Sequence, residues 1–376
     1  MMPIMPIRQL SQPETGPDVT IIMGGQFGSE GKGELTAWYA SAYNPSAVVR
    51  VGGPNAGHTM TINNGMAERT AFKMRHIPCA WHTPAELFLG PGALVNISVL
   101  NSEMGNIIRS GHRKIVPANN GPILHIDLSA VIITEEHAMV EASADMWTKI
   151  GSTLEGVGAA RAARIMRSAT LWGNRTQYSL HTDGVIVSDR LVGMQSIVVE
   201  STQGFGLSLT YSNNYPQVTS ADITPAQALN DAGLGGQRNY HVIGVMRTYP
   251  IRVAGNSGGM YKEITWAELA ARTNGLVQPE RTTVTNRIRR VGEWDPVLAR
   301  KFRDVCKPDA ICLTMVDYKV PELAGVAPEM FTPNMRRKIA TLLDKVEQDV
   351  GAPVRWVGVG PGVIVPVAEL LLDELH

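Results

Sequence analysis

Residues 24–34 read GGQFGSEGKGE and follow the apolar run Val19-Thr20-Ile21-Ile22-Met23. That run is short and β-branched, as a buried strand is. After the loop, Glu34-Leu35-Thr36-Ala37-Trp38-Tyr39-Ala40 reads as the first turns of a helix. Strand, glycine loop and helix, in that order, aim backbone N–H groups and a helix N-terminus at phosphate. Gly31-Lys32 stands where a phosphate loop would place its Gly-Lys pair, yet the spacing is not that of a P-loop. Such a loop has four residues between its first glycine and the pair, and Ser or Thr after the lysine. Here five residues separate Gly25 from Gly31, and Gly33 follows Lys32. The hydroxyl that a GTPase-type loop offers to magnesium is missing, which argues against a standard GTPase switch.

Working outward, Ala47-Val48-Val49-Arg50-Val51 predicts a second strand that runs into GGPNAGHTM at 52–60. Polar groups at the end of such a strand lie where open α/β sheets bind ligands, and His58 sits among glycines with a near-neutral unperturbed pKa. Further strands are expected at 123–126, 184–187, 196–200, 241–247, 311–316 and 354–359. Helices are expected near 98–110, 129–142, 156–167, 264–272, 295–306, 335–350 and 367–375. In 335–350, Ile339, Leu342, Leu343 and Val346 recur at helical spacing, a core-facing pattern. Alternation of strands and helices predicts an α/β fold with a large, mostly parallel central sheet flanked by helices. No composition break divides it, so 19–376 reads as a single large catalytic domain with peripheral subdomains. The polar segment 201–236 is too long for a plain connection and reads as a functional loop region.

Lys+Arg and Asp+Glu are both 34, so no global basic field recruits nucleic acid or an anionic membrane. Any anion site must be local. Hydrophobic residues at 44% and charged residues at 18% describe a globular chain. Cys79, Cys306 and Cys312 are odd in number and lack metal-ligand spacing, which points to a reduced, cytoplasmic protein. No apolar run approaches a membrane span. Residues 1–18, Pro-rich and without a continuous apolar stretch, read as a disordered leader rather than a signal peptide.

The two glycine loops together resemble those of the adenylosuccinate synthetase family, G-T-Q-W-G-D-E-G-K-G-K and G-x-N-A-G-H-T. The resemblance continues in family order. IGSTLEGVGAARAARIMR (150–167) is similar to the I-G-T-T segment with its downstream arginine, and VESTQGFGLSL (199–209) to F-E-G-A-Q-G-x-L-L. YPQVTSADIT (215–224) resembles Y-P-Y-V-T-S-S-N-T, and TTVTNRIRRVGEWD (282–295) resembles T-T-G-R-x-R-R-x-G-W-x-D. CLTMVD (312–317) is similar to C-x-T-K-L-D, and VGVGP (357–361) to S-T-G-P. Each segment is loose by itself; the ordered set is specific.

The resemblance implies a ligase that phosphorylates a purine 6-oxygen and then lets the aspartate amine displace the phosphate. It implies a purine nucleotide site built from Ser29, Asn55, Thr153, Arg167, Gln203 and Thr219. Arg167 matches an arginine that reaches the nucleotide of a partner subunit, hence a homodimer. Thr285, Arg287 and Arg289 match the aspartate clamp, where paired guanidinium groups suit two carboxylates. Gly28, Glu30, Gly31, Lys32, Gly33, Gly57, His58, Thr59, Asp317 and Gly360 match the donor nucleotide site. Mg²⁺ is the implied cofactor, with Ser29 and the Gly57 carbonyl as its protein ligands. Lys32, His58, Gln203 and Ser29 occupy the catalytic positions. Lys32 suits neutralisation of phosphate charge and His58 matches the family's general acid.

Four departures qualify the expectation. Ser29 replaces the Asp that takes the purine N1 proton, and a serine is a poor general base. One reading is an inert nucleotide-binding protein. The other is a changed substrate, because a small neutral side chain leaves room for a 2-amino group. This matches a phage-type branch, the 2-aminoadenylosuccinate synthetases, which act on dGMP. Ordinary activity on IMP with GTP is the alternative within the family. Met315 replaces the guanine-reading lysine, which opens the donor site to ATP or dATP. Glu34 and Glu155 replace a lysine and an arginine, with no account available from sequence.

Overall fold

The computed structural model describes residues 18–63, 69–110, 124–175, 182–282 and 286–371. The apolar run forms β1 (Asp18–Gly24), the centre of a ten-stranded sheet. Its other strands are β2 (Ala47–Arg50), β3 (Glu86–Leu89), β4 (Leu124–Asp127), β5 (Thr182–Val185), β6 (Ser196–Gly204), β7 (Tyr240–Arg247), β8 (Ala310–Thr314), β9 (Val354–Gly358) and β10 (Ile364–Pro366). The spatial order is β10-β9-β8-β7-β1-β6-β2-β3-β4-β5. Every neighbouring pair is parallel except β9 with β10. Crossovers bury both faces, so β1 and β2 read as continuous apolar runs rather than alternating ones. The mostly parallel sheet expected from sequence is the observed one.

Five helices carry much of the covering: α1 (Lys32–Tyr43), α2 (Ile97–Arg109), α3 (Val157–Ile165), α4 (Pro296–Cys306) and α5 (Pro333–Val350). Ile339, Leu343 and Val346 of α5 are buried and Leu342 is partly so, as the helical spacing requires. Asp295 starts α4 by accepting from the Val297 and Leu298 amides, with Pro296 in its first turn. Phe302 of that helix is fully buried, a contribution of roughly 1.5–3 kcal/mol.

Several local expectations differ from the structure. Where one helix was expected at 129–142, Val131–Ile132 pairs with Leu94–Val95 and the helix begins only at Glu135. The β-branched run Val131-Ile132-Ile133 outweighs helix propensity there. An antiparallel hairpin, His58–Asn63 with Arg69–Met74, follows the second glycine loop and has no counterpart in the sequence reading. Nor does β3, whose ELFL run lacks β-branched residues. The last helix is described over Val367–Leu371, and the remainder of the expected 367–375 span lies outside the described residues. So does the expected leader, apart from Asp18. No helix among the described residues is long and apolar enough to cross a membrane.

What positions the site is the change of chain direction across β1. The chain leaves β1 for β2, later returns β6 into the gap between them, then adds β7 on the other side. The C-terminal ends at such a switch point form a crevice. Here they present Gly24, Arg50, Gly204, Arg247 and Thr314.

Candidate active site

The glycine loop turns through left-handed residues: Gly28 at φ 87°, Ser29 at φ 60° and Gly31 at φ 92°. Glu30 braces it from inside. Its Oε1 accepts from the amides of Gly28 at 2.7 Å and Gln26 at 3.2 Å, and its Oε2 meets Lys32 Nζ at 2.7 Å. Both partners of that ion pair are buried. Glu30, expected at the donor nucleotide, lines the donor-side cleft while its carboxylate holds the loop and orients the lysine. The brace leaves no room for side chains around it: a Cβ on Gly204 would lie 2.4 Å from Glu30 Oε1. Arg247, at the end of β7, donates to the Ser29 carbonyl at 3.1 Å. The Gln26 amide clasps the Arg247 backbone in both directions. Loop and strand end are one rigid unit.

The second glycine loop delivers His58 against the first. His58 Nδ1 lies 2.5 Å from Glu200 Oε1. Glu200 is fully buried at the C-terminal half of β6, where Arg50 Nη1 donates to it at 3.0 Å and the Cys79 amide at 2.8 Å. Burial alone would raise the Glu200 carboxyl, but the Arg50 charge and the His58 and Cys79 hydrogen bonds hold it at about 2. Burial, with Arg50 and Lys32 nearby, pushes His58 down to about 3 despite Glu200. The imidazole is therefore neutral, with its Nδ1 proton on Glu200. Its Nε2 is buried and has no partner among the described residues, free to meet a ligand. His58, Cys79 and Glu200 are close enough to surround an ion. The Arg50 contact and the Cys79 amide already satisfy Glu200, so the cluster reads as an orienting network rather than a metal centre.

Two clefts flank these loops. One, of about 770 Å³, is lined by Phe27, Asn55, Thr153, Gln203 and Thr219, with Arg252 among the other residues of its wall. It thus gathers four residues expected at the purine monophosphate. The other, of about 1160 Å³, is lined by Ser29, Glu30, Gly31, Lys32, Gly33, Gly57, His58, Thr59, Asp317 and Gly360. Of the residues expected at the donor nucleotide, only Gly28 is missing from its wall. Gly28 lies between the two, with a Cβ built there 3.9 Å from Gln203 Oε1. The loop that carries Ser29 is the partition between the clefts.

The expected aspartate clamp is less compact. Arg289 lines the donor-side cleft, while Arg287 rests on Trp147 with its Cζ 4.7 Å from the ring centroid. Thr285 lies outside the described residues. Arg167 is exposed, at φ 63°, and lines neither cleft. Met315 adopts a left-handed conformation at the donor-side wall, its carbonyl taking the Thr248 hydroxyl at 2.6 Å. Beside it Asp317 Oδ1 is buried without a partner among the described residues, and burial raises its carboxyl to about 6.

Glu34 and Glu155 acquire structural reasons. Glu34 accepts from the Thr61 amide at 3.1 Å and from the Thr61 hydroxyl at 2.5 Å, tying α1 to the hairpin. Glu155 pairs with Arg75 at 2.5 Å. Residues missing from the sequence reading include Arg50, Glu200 and Arg247, which orient the catalytic positions, and Lys73 and Arg281, which line the donor-side cleft. The first three had a signal: each is a charge closing an apolar strand run, at the ligand end of a parallel sheet.

A glycine loop at the switch point of a parallel sheet, with a buried lysine, a buried histidine and two flanking clefts, defines an α/β protein built to hold phosphate-bearing ligands. The profile of the adenylosuccinate synthetase family matches residues 21–183 and 171–323. The adenylosuccinate synthetase of Pyrococcus horikoshii is 34% identical over 346 residues, spanning 91% of this chain and 95% of that protein. That of Archaeoglobus fulgidus is 34% identical over 348 residues, with the same coverage. Among solved structures, the succinoaminodeoxyadenylate synthetase of cyanophage S-2L, bound to dGMP and dATP as energy donor, superposes with a TM-score of 0.77. It is 28% identical and covers 96% of this chain and 99% of its own. The Plasmodium falciparum adenylosuccinate synthetase shares the fold, with a TM-score of 0.74 at 19% identity over 93% of this chain and 99% of its own. The chain belongs to the adenylosuccinate synthetase family and is a C–N bond-forming ligase.

Proposed function

We propose that this ligase joins L-aspartate to dGMP, at the expense of ATP or dATP, giving N6-succino-2-amino-2'-deoxyadenylate for DNA that carries 2,6-diaminopurine. The observation that carries the reading is Ser29. Among the carboxylates lining the donor-side cleft, Glu30 is committed to Lys32 and the loop, Glu34 to Thr61 and Glu280 to Arg247, while Asp317, whose Oδ1 is free, stands beside Met315 on the wall assigned to the donor base. None of these replaces an aspartate at position 29. A hydroxyl there makes no hydrogen bond among the described residues, and it leaves space for a 2-amino group that a carboxylate would fill. The cyanophage relative, which binds dGMP and dATP, supports the same reading.

Asn55, Gln203 and Thr219 hold the purine monophosphate, with Thr153 at its phosphate. Lys32 and the loop amides neutralise the transferring phosphate as the 6-oxygen attacks it. His58 presents Nε2 to the 6-oxygen and γ-phosphate. Dianionic phosphate beside it favours the imidazolium, which then donates that proton as a general acid. The aspartate amine displaces phosphate from C6, and Arg287 and Arg289, with Thr285, steer its carboxylates. The Ser29 hydroxyl and Gly57 carbonyl are neutral hard-oxygen donors, so Mg²⁺ fits here as an ion carried largely by phosphate oxygens. When bound it would neutralise phosphate charge. Met315 packs against the donor base, and the free Asp317 Oδ1 accepts from its N–H groups. Arg167, exposed and away from its own clefts, completes the purine site of a second copy.

Activity on IMP with GTP is the second reading, favoured by the 34% identity to archaeal adenylosuccinate synthetases. Ser29→Asp separates the two. The dGMP-to-IMP ratio of kcat/KM is expected to fall; an unchanged ratio means that position 29 does not read the 2-amino group.

A further inference from the structure

Trp147 belongs to the short helix Met146–Ile150, held between left-handed Asp145 at φ 52° and Gly151 at φ 70°. Met146 and Ile150 of that helix line the purine-side cleft. Asn256 Nδ2 donates to the Lys149 carbonyl at 2.9 Å, and a Cβ on Gly151 would touch Ser257 and Val253. The helix is thus seated on the 253–257 loop, which also walls the cleft. Trp147 itself remains 38% exposed, a large apolar side chain left partly at the surface.

Its partner is Arg287. The guanidinium Cζ stands 4.7 Å from the indole centroid, within cation–π range. A Cβ built on Gly255, at φ 83°, would lie at van der Waals distance, 3.6 Å, from Arg287 Nη2, so the guanidinium rests over this loop as well. The Arg287 backbone is fixed as well, exchanging hydrogen bonds with the Thr282 hydroxyl and amide, both at 2.9 Å. Yet the guanidinium has no acceptor among the described residues. An arginine stacked on an aromatic face keeps all five in-plane N–H donors available while its plane is set. That is a guanidinium oriented for an incoming carboxylate, and an ion pair within the protein would have consumed it.

We propose that Trp147 is the positioning residue of the aspartate site, holding Arg287 at the rim of the purine-side cleft in the pose that receives an aspartate carboxylate. The inference rests on the reading of Arg287 as an aspartate ligand. It places the aspartate-steering device on two elements distant in sequence, the strand approach at 286–290 and the Met146–Ile150 helix, with Arg287 and Arg289 reaching the aspartate from different sides. Arg289 faces the donor side.

The test is steady-state kinetics on the full-length enzyme with whichever purine monophosphate supports turnover. Trp147→Ala is expected to raise KM for aspartate roughly 2- to 30-fold, the range of cation–π contacts. KM for the purine monophosphate and for the triphosphate should stay within about twofold. Trp147→Phe, which keeps a ring face, should recover part of the loss. Arg287→Ala should raise the aspartate KM further, and adding Trp147→Ala to it should change nothing more. If Arg287→Ala raises the aspartate KM but Trp147→Ala does not, the positioning role is wrong and the Arg287 reading stands. An aspartate KM untouched by Arg287→Ala overturns the underlying assignment. Equal rises for all three substrates on Trp147→Ala reduce Trp147 to a structural residue.

Discussion

Lys32 and His58 come from different loops, yet each is oriented by a fully buried carboxylate, Glu30 and Glu200 respectively. Removing the Lys32 ammonium strands the buried Glu30 charge, and removing the His58 imidazole takes a hydrogen bond from the buried Glu200 carboxylate. Function is therefore expected to respond sharply at both positions. Lys32→Ala and His58→Ala should each lower turnover at least ~10²-fold, the scale of losing one electrostatic or acid–base element. Wild-type rates for either variant would remove that residue from the mechanism. The motifs announced Lys32 and His58 as candidates, but not the carboxylates that aim them. Glu30 looked like one more loop residue facing the nucleotide; only the folded loop shows its side chain turned inward. Glu34 and Glu155 were opaque for the same reason. Their partners are distant in sequence: Thr61 sits on the hairpin and Arg75 directly after it.

At the scale of elements, the strand–loop–helix unit was legible because three local signals agree: a β-branched run, glycines where the loop turns, and a helix starting at Lys32. The hairpin that begins at His58 was not, since its strands HTMTIN and RTAFKM carry few apolar residues and its packing against α1 is invisible in a local window. That packing makes a prediction. A Cβ on Gly33 would sit 2.5 Å from the Thr59 carbonyl and 3.0 Å from the His58 Cβ. The obstructing atoms are backbone and a buried side chain, so neither can yield without moving a loop. Gly33→Ala is expected to lower Tm by several degrees, as a core overpacking of about 1–3 kcal/mol would. It should also lower turnover, because His58 moves with the strand. Unchanged Tm and kcat would show that α1 and the hairpin are not in register as described.

Across the whole molecule, burial sets the pH response. Burial pushes His58 and His76 down to about 3 and His82 to about 4. His76 Nε2 accepts the Asn96 amide at 3.1 Å, which only a neutral ring can do. The unfolded chain takes up these protons near 6.5 and the folded chain does not, so stability present above that value is lost as pH falls toward 3. Glu200, held at about 2, adds to the loss below 4.5. Buried Glu103 and Asp231, whose carboxyls are raised, oppose it in part. A Tm that declines steadily from pH 7 to pH 4.5 in a thermal-shift series is expected, and a flat profile would contradict it. The sheet order, the clefts and the family follow from the fold, whereas the choice of purine turns on one side chain in the partition between the clefts. The most direct measurement offers the purified enzyme equimolar dGMP and IMP with aspartate, Mg²⁺ and ATP, dATP or GTP, and identifies the succinylated product by mass. The account predicts the 2-amino product from dGMP with ATP or dATP as donor. Succinyl product from IMP alone would contradict it.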